Sequence, residues 1–182
     1  MSDEMLGALD EIYANADRLV GSVRDDQWDD KTPCSEWNVR DLVQHMSGTS
    51  GVCYAAATRT DMNPDSQPGD DPAAEFAAAS AAAAAAWRGE GALDGMVSVP
   101  ADMPAVAALG VNIIDIGTHV WDLASALDQD HGLSAEIVAM IDQWNHNVVS
   151  DDVRAGGGFG EILAPTSDAD LAGMLAFVGR RA

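Results

Sequence analysis

Lysine occurs once in this 182-residue sequence, at Lys31, and basic residues number only 9 against 30 acidic ones. The formal net charge of -21 gives a surface field that repels phosphate backbones, so nucleic acid is not an expected partner. The same field opposes binding to anionic membrane surfaces. Aromatic residues are also scarce, at 5% of the chain, although hydrophobic residues reach 47%. Alanine therefore fills much of the apolar quota. That favours close-packed helices over strands, which prefer β-branched and aromatic side chains. The two cysteines, Cys34 and Cys53, form neither a disulfide framework nor a CxxC pair. No basic segment followed by an apolar core stands near Met1, so no signal peptide is expected. The longest low-polarity run, "AAASAAAAAAW", is too short and too weakly hydrophobic to span a bilayer. A cytoplasmic location follows as the expectation.

What is present is a series of amphipathic segments, and the length suits one domain spanning 1–182. Met5, Leu9, Ile12, Ala16, Leu19 and Val23 recur at helical spacing behind Ser2, Asp3 and Glu4, predicting a first helix that ends near Arg24. In "WNVRDLVQHM", Asn38 is a good N-cap, Asp41 completes a variant capping box, and Trp37 and Leu42 stand at staple positions. That helix should run to about Thr58. A third is predicted from about Pro72 to Arg88 on its alanine run. An extended stretch at Met96, Val97 and Val99 follows, then a long helix from about Ala105 to Leu127. Ser134 should cap a helix reaching about Val149. A short strand is predicted at Glu161–Ala164, and a last helix from Ser167 with Asp170 completing its capping box. The sum is an all-α bundle of five or six helices with one long mid-chain crossover and small β additions.

The long helix holds the most informative stretch, "NIIDIGTHVWDLA". At 100° per residue, Asn112, Asp115, His119 and Asp122 fall within roughly 80° of one another, and most of the remaining circumference is apolar. This stripe is either a thin solvent-facing edge or an inward-facing functional surface. No lysine or arginine occurs between Arg88 and Arg154, so a buried Asp115 needs compensation from another segment, a proton or a metal. An (i, i+4) carboxylate–imidazole pair can reach one metal ion, because such neighbours lie about 5–6 Å apart at Cβ. Alone, DxxxH is a weak signal beside an ordinary helix ion pair. Of the other histidines, His131 reads as solvated in a loop and His146 as surface. His45, flanking the apolar stripe of the second helix, is placed to face a neighbour, although a hydrogen-bonded core histidine remains the plainer reading. Cys53 lies about 12 Å beyond His45 along the helix, too far to ligate the same ion. Cys34 reads as a small buried residue of the connector, with a reactive thiol as the alternative. Asp122 either orients a histidine or faces solvent, and Trp121 reads as core.

"TPCSEWNVRDLVQHM", "GTHVWDLA" and the closing "FG…VGRR" together resemble the actinobacterial metal-binding branch of the DinB-like superfamily. That branch includes the N-terminal domain of mycothiol-dependent maleylpyruvate isomerase. The resemblance implies a four-helix bundle with a long crossover and a metal held by His45, Asp115 and His119. The middle ligand of the family can be glutamate, and Asp115 is one methylene shorter. Two imidazoles and a carboxylate suit Zn²⁺, with Ni²⁺, Fe²⁺ or Mn²⁺ as alternatives. Three protein ligands leave a coordination position open, as in catalytic sites. Similarity to mycothiol-dependent enzymes implies a transferase or isomerase that activates a low-molecular-weight thiol such as mycothiol and acts on a small-molecule substrate. Maleylpyruvate itself is not the expected substrate. The -21 charge is unfavourable for a dianion, and the isomerase relatives carry a further C-terminal domain that this length does not hold in full. A non-catalytic metal- or small-ligand-binding stress-response module and a metal-dependent hydrolase are the alternatives. The sequence leaves a homodimer open.

Overall fold

The computed structural model describes residues 2–62, 69–156, 159–167 and 170–181. The chain divides into two compact units, residues 1–131 and 132–182. The first contains α1 (Ser2–Val20), α2 (Val39–Thr58), α3 (Pro72–Trp87), β1 (Met96–Val97), β2 (Met103–Pro104) and α4 (Ala105–Ala126). The second contains α5 (Ala135–Val148), α6 (Asp151–Ala155) and α7 (Asp170–Phe177). Among the described residues the fold is all-α with one small two-stranded sheet, as the sequence implied.

Four helices make the bundle of the first unit. Both α1 and α2 pack chiefly against α3 and α4, so these two sequential helices lie across the bundle from each other. The connector of residues 21–38 therefore crosses over. It ends in a built cap: Asn38 Oδ1 accepts from the Asp41 backbone N–H, and Asp41 Oδ2 accepts from that of Asn38. The full capping box is present, so α2 starts where its sequence signals placed it. Helix α4 is the central element. Its faces bury Leu109, Ile113, Ile116, Val120 and Leu123 completely, which matches its near-continuous apolar circumference.

Three local expectations are corrected. Helix α1 ends at Val20 rather than near Arg24, because Gly21 turns the chain and the Ser22 hydroxyl donates to the Leu19 carbonyl at 2.7 Å. Met1 lies outside the described residues, and Ser2 is the first described helical residue rather than a cap. Glu161–Ala164 is not a strand. Leu163 N–H donates to the Ala176 carbonyl at 2.9 Å, and a bond to a helix end is no ladder. Helix α7 is described from Asp170, and the residues between it and the expected start at Ser167 lie outside those described. The extended segment at Met96 does pair, antiparallel, with Met103–Pro104.

Asn112 leaves the polar stripe to tie the core together. It is fully buried. Its Oδ1 accepts from Trp87 Nε1–H at 3.2 Å, and its Nδ2 donates to the Tyr13 hydroxyl at 3.1 Å. Tyr13 in turn lies 3.1 Å from Ser50 Oγ, so α1, α2, α3 and α4 each contribute one member. Burial drives the Tyr13 phenol well above its ordinary pKa, reinforced by Cys53 and partly offset by Ser50 and Asn112, so it acts as a neutral hydrogen-bonding group. Replacing Asn112 by alanine strands the buried Trp87 Nε1–H and removes the donor to the Tyr13 hydroxyl, and a buried group left unsatisfied costs about 1–3 kcal/mol. Urea unfolding of Asn112→Ala should show a loss in that range or above, whereas Asn38→Ala, which removes only a cap, should lose about 1 kcal/mol. Equal stability of Asn112→Ala and wild type would contradict the network.

Candidate metal centre

The site is assembled by α2, α4 and the end of the crossing connector. The connector is folded on Thr32. The Thr32 hydroxyl lies 2.8 Å from the Trp37 carbonyl and accepts from the Cys34 N–H at 3.1 Å. An isolated antiparallel bridge between Lys31 and Asn38 closes the turn. This loop delivers two side chains to the polar stripe of α4. The Trp37 ring stacks on His45, with centroids 4.5 Å apart and planes at 35°, and lies 5.8 Å from His119. Cys34 Sγ sits 3.2 Å from Asp122 Oδ2 and 4.0 Å from His119 Nδ1.

His45, Asp115 and His119 come together here. Each offers one ligand atom, and the three atoms lie within 4.8 Å of one another. His45 Nε2 stands 3.3 Å from Asp115 Oδ2, with Thr49 Oγ1 3.4 Å from the same nitrogen. The two imidazoles meet edge-on at 4.9 Å. Side-chain exposure is 32% for His45 and 25% for Asp115, but only 9% for His119, so the cluster opens to solvent from the α2 side. Asp115 Oδ1 is nevertheless buried and has no hydrogen-bond partner. Burial raises the carboxyl of Asp115. The His45 hydrogen bond, the charges of His119 and His45 and the Thr49 hydroxyl together outweigh it, and the net position is below the usual carboxylate value.

A second set, Cys34, His119 and Asp122, also brings its ligand atoms within 4.8 Å of one another and shares His119 with the first. Asp122 is fully buried, and its Oδ2 lies 2.8 Å from His119 Nδ1. Sequence reasoning read Cys34 as connector filling and Trp37 as a staple, and it passed over Thr49. The positions of Cys34 and Trp37 follow from an irregular loop with no periodicity to read, whereas Thr49 lies in α2 one turn beyond His45. Elsewhere, Trp121 is half-buried rather than core. His131 is half-buried, and His146 is exposed and stacks on Phe177 at 3.9 Å. Asn145, whose sector reads as surface from the sequence, is fully buried. Cys53 is buried in α2 outside both candidate sets, and burial, reinforced by Asp115, pushes its thiol well up.

The donor set fits a divalent cation. The orphaned Asp115 Oδ1 is the strongest sign, since a buried carboxylate oxygen without a donor is costly. In the metal-free protein the depressed Asp115 carboxyl contributes stability that is present above the ordinary carboxylate value of about 4 and lost as pH falls through the lower folded value. Asp115→Asn should therefore lose about 1–3 kcal/mol near neutral pH, and its deficit should shrink as the solution is acidified below about pH 4. Denaturant unfolding across pH checks this; a deficit that grows on acidification contradicts the assigned sign.

The family described as "Mycothiol maleylpyruvate isomerase N-terminal domain" matches residues 9–124, a span that contains α2, α3 and every residue of the site. An uncharacterized protein of Mycobacterium tuberculosis, found in two strains, is 34% identical over 123 residues, covering 65% of this chain. The chain spans about 65% of the length of these curated relatives. No solved structure matches. The chain belongs to the mycothiol maleylpyruvate isomerase N-terminal domain family.

Proposed function

We propose that this protein binds one divalent metal ion through His45, Asp115 and His119 and uses it to activate a low-molecular-weight thiol, as a transferase or isomerase. The observation that carries the reading is the convergence of three ligand atoms within 4.8 Å of one another, beside a buried Asp115 Oδ1 that has no hydrogen bond. Membership in a mycothiol-related family supports the thiol as partner. Zn²⁺ is the first candidate for two imidazoles and a carboxylate, with Ni²⁺, Fe²⁺ or Mn²⁺ behind it.

A divalent ion bound there would supply Lewis acidity and lower the pKa of a thiol sharing its open position. The residues of the chain supply the rest. Trp37 packs at a tilt against the His45 ring, which restricts imidazole rotation. Thr49 stands at His45 Nε2, holding the unloaded cluster together. The partial exposure of His45 and Asp115 leaves the side from which a small molecule approaches. Among the described residues no helix is long and apolar enough to cross a membrane.

Elemental analysis of the purified protein tests the first half. The wild type should carry close to one equivalent of metal, and His45→Ala and His119→Ala should lose most of it; full occupancy in both variants contradicts the ligand assignment. The second half is read by consumption of a thiol cofactor against a panel of electrophiles. Metal-dependent consumption abolished by chelation is the expected result. A metal-loaded protein silent in every thiol assay would leave a binding module instead, and turnover without thiol would indicate a hydrolase.

A further inference from the structure

We infer that Asp122 is a positioning residue: it commits His119 to the tautomer with the proton on Nδ1, leaving Nε2 as the nitrogen free to ligate. This rests on the metal-site reading for its functional meaning, but the hydrogen-bond geometry stands without it.

Three observations lead there. Asp122 Oδ2 is 2.8 Å from His119 Nδ1, one helical turn away on α4. The same oxygen already accepts the Cys34 S–H at 3.2 Å, so it acts as an acceptor, and the proton of the short bond belongs to the imidazole. Asp122 is fully buried and His119 nearly so, so water offers no easy substitute for either partner. A neutral imidazole otherwise distributes its proton between two nitrogens. Any molecule with the proton on Nε2 could not ligate, and apparent affinity falls with the competent fraction.

The same geometry decides between the two overlapping donor sets. His119 belongs to both, yet Nδ1 cannot donate to Asp122 and bind an ion at once. An ion held by Cys34, His119 and Asp122 would also displace the thiol proton, removing both hydrogen bonds to one buried oxygen. At the first set an ion displaces only the longer contacts at His45 Nε2, 3.3 Å to Asp115 and 3.4 Å to Thr49, so on this reading Cys34 and Asp122 support the site from behind His119. Carboxylate partners of this kind typically carry 10–100-fold in metal affinity.

The test reads the tautomer and the affinity separately. In metal-free wild type with ¹⁵N-labelled histidine at about pH 8, long-range ¹H–¹⁵N correlation should find His119 protonated on Nδ1 and bare on Nε2. In Asp122→Asn, whose amide can accept or donate, the signal should move toward a mixture, and zinc affinity by chelator competition should fall roughly 10–100-fold. Cys34→Ala, which leaves the carboxylate in place, should keep the tautomer and lose less affinity. A proton on Nε2 in wild-type His119, or undiminished zinc binding by Asp122→Asn, overturns the inference. If Asp122→Asn does not fold, the wild-type tautomer decides alone. If wild-type protein binds no zinc, the metal reading fails while the tautomer still decides this one.

Discussion

Two carboxylates on the most buried helix of the bundle set the terms for the rest of the site. Asp115 and Asp122 lie on α4 within a stretch of sequence that carries no lysine or arginine from Arg88 to Arg154. An isolated anion in such surroundings is strongly disfavoured, so each must be matched by something brought to it. His119, one turn from both, faces Asp122 and completes the cluster at Asp115. His45 arrives from α2, and Cys34 and Trp37 from the connector. A single divalent cation would balance the two negative charges while leaving both imidazoles and the thiol neutral, which is a physical reason for this inventory.

That demand explains why the connector crosses the bundle as it does. The Asn38 capping box fixes the first turn of α2, and His45 stands two turns inside it. Thr32 and the Lys31–Asn38 bridge fix the approach to that cap, so Trp37 reaches the imidazoles from outside the helices. One turn toward the start of α4, Asn112 joins α1, α2 and α3 through Tyr13, Ser50 and Trp87. The polar stripe thus has two uses: its first residue anchors the four helices, and its last three build a cluster on the helix so anchored.

Much of this was legible in the residues. Helical periodicity and capping signals located α2, α3, α4 and α5 closely, because those elements obey local rules. The stripe of four polar residues was visible as an angular pattern, and the resemblance at "WNVRDLVQHM" and "GTHVWDLA" linked it to His45. What could not be read is what depends on irregular backbone. The roles of Cys34 and Trp37 depend on a hydroxyl-braced loop, and the inward turn of Asn112 and Asn145 depends on tertiary neighbours that no local pattern encodes. The extended segment at Glu161–Ala164 looked like a strand by composition, but a strand requires a partner, and sequence does not say where one lies.

The account turns on where a bound ion would sit. A crystal of the zinc-loaded protein, measured on both sides of the zinc absorption edge, locates the metal without reference to any assumed chemistry. The expected result is one anomalous peak per chain, bounded by the side chains of His45, Asp115 and His119 with Nε2 of His119 toward it. A peak between Cys34, His119 and Asp122, or a zinc-loaded protein with no peak at this cluster, would contradict it.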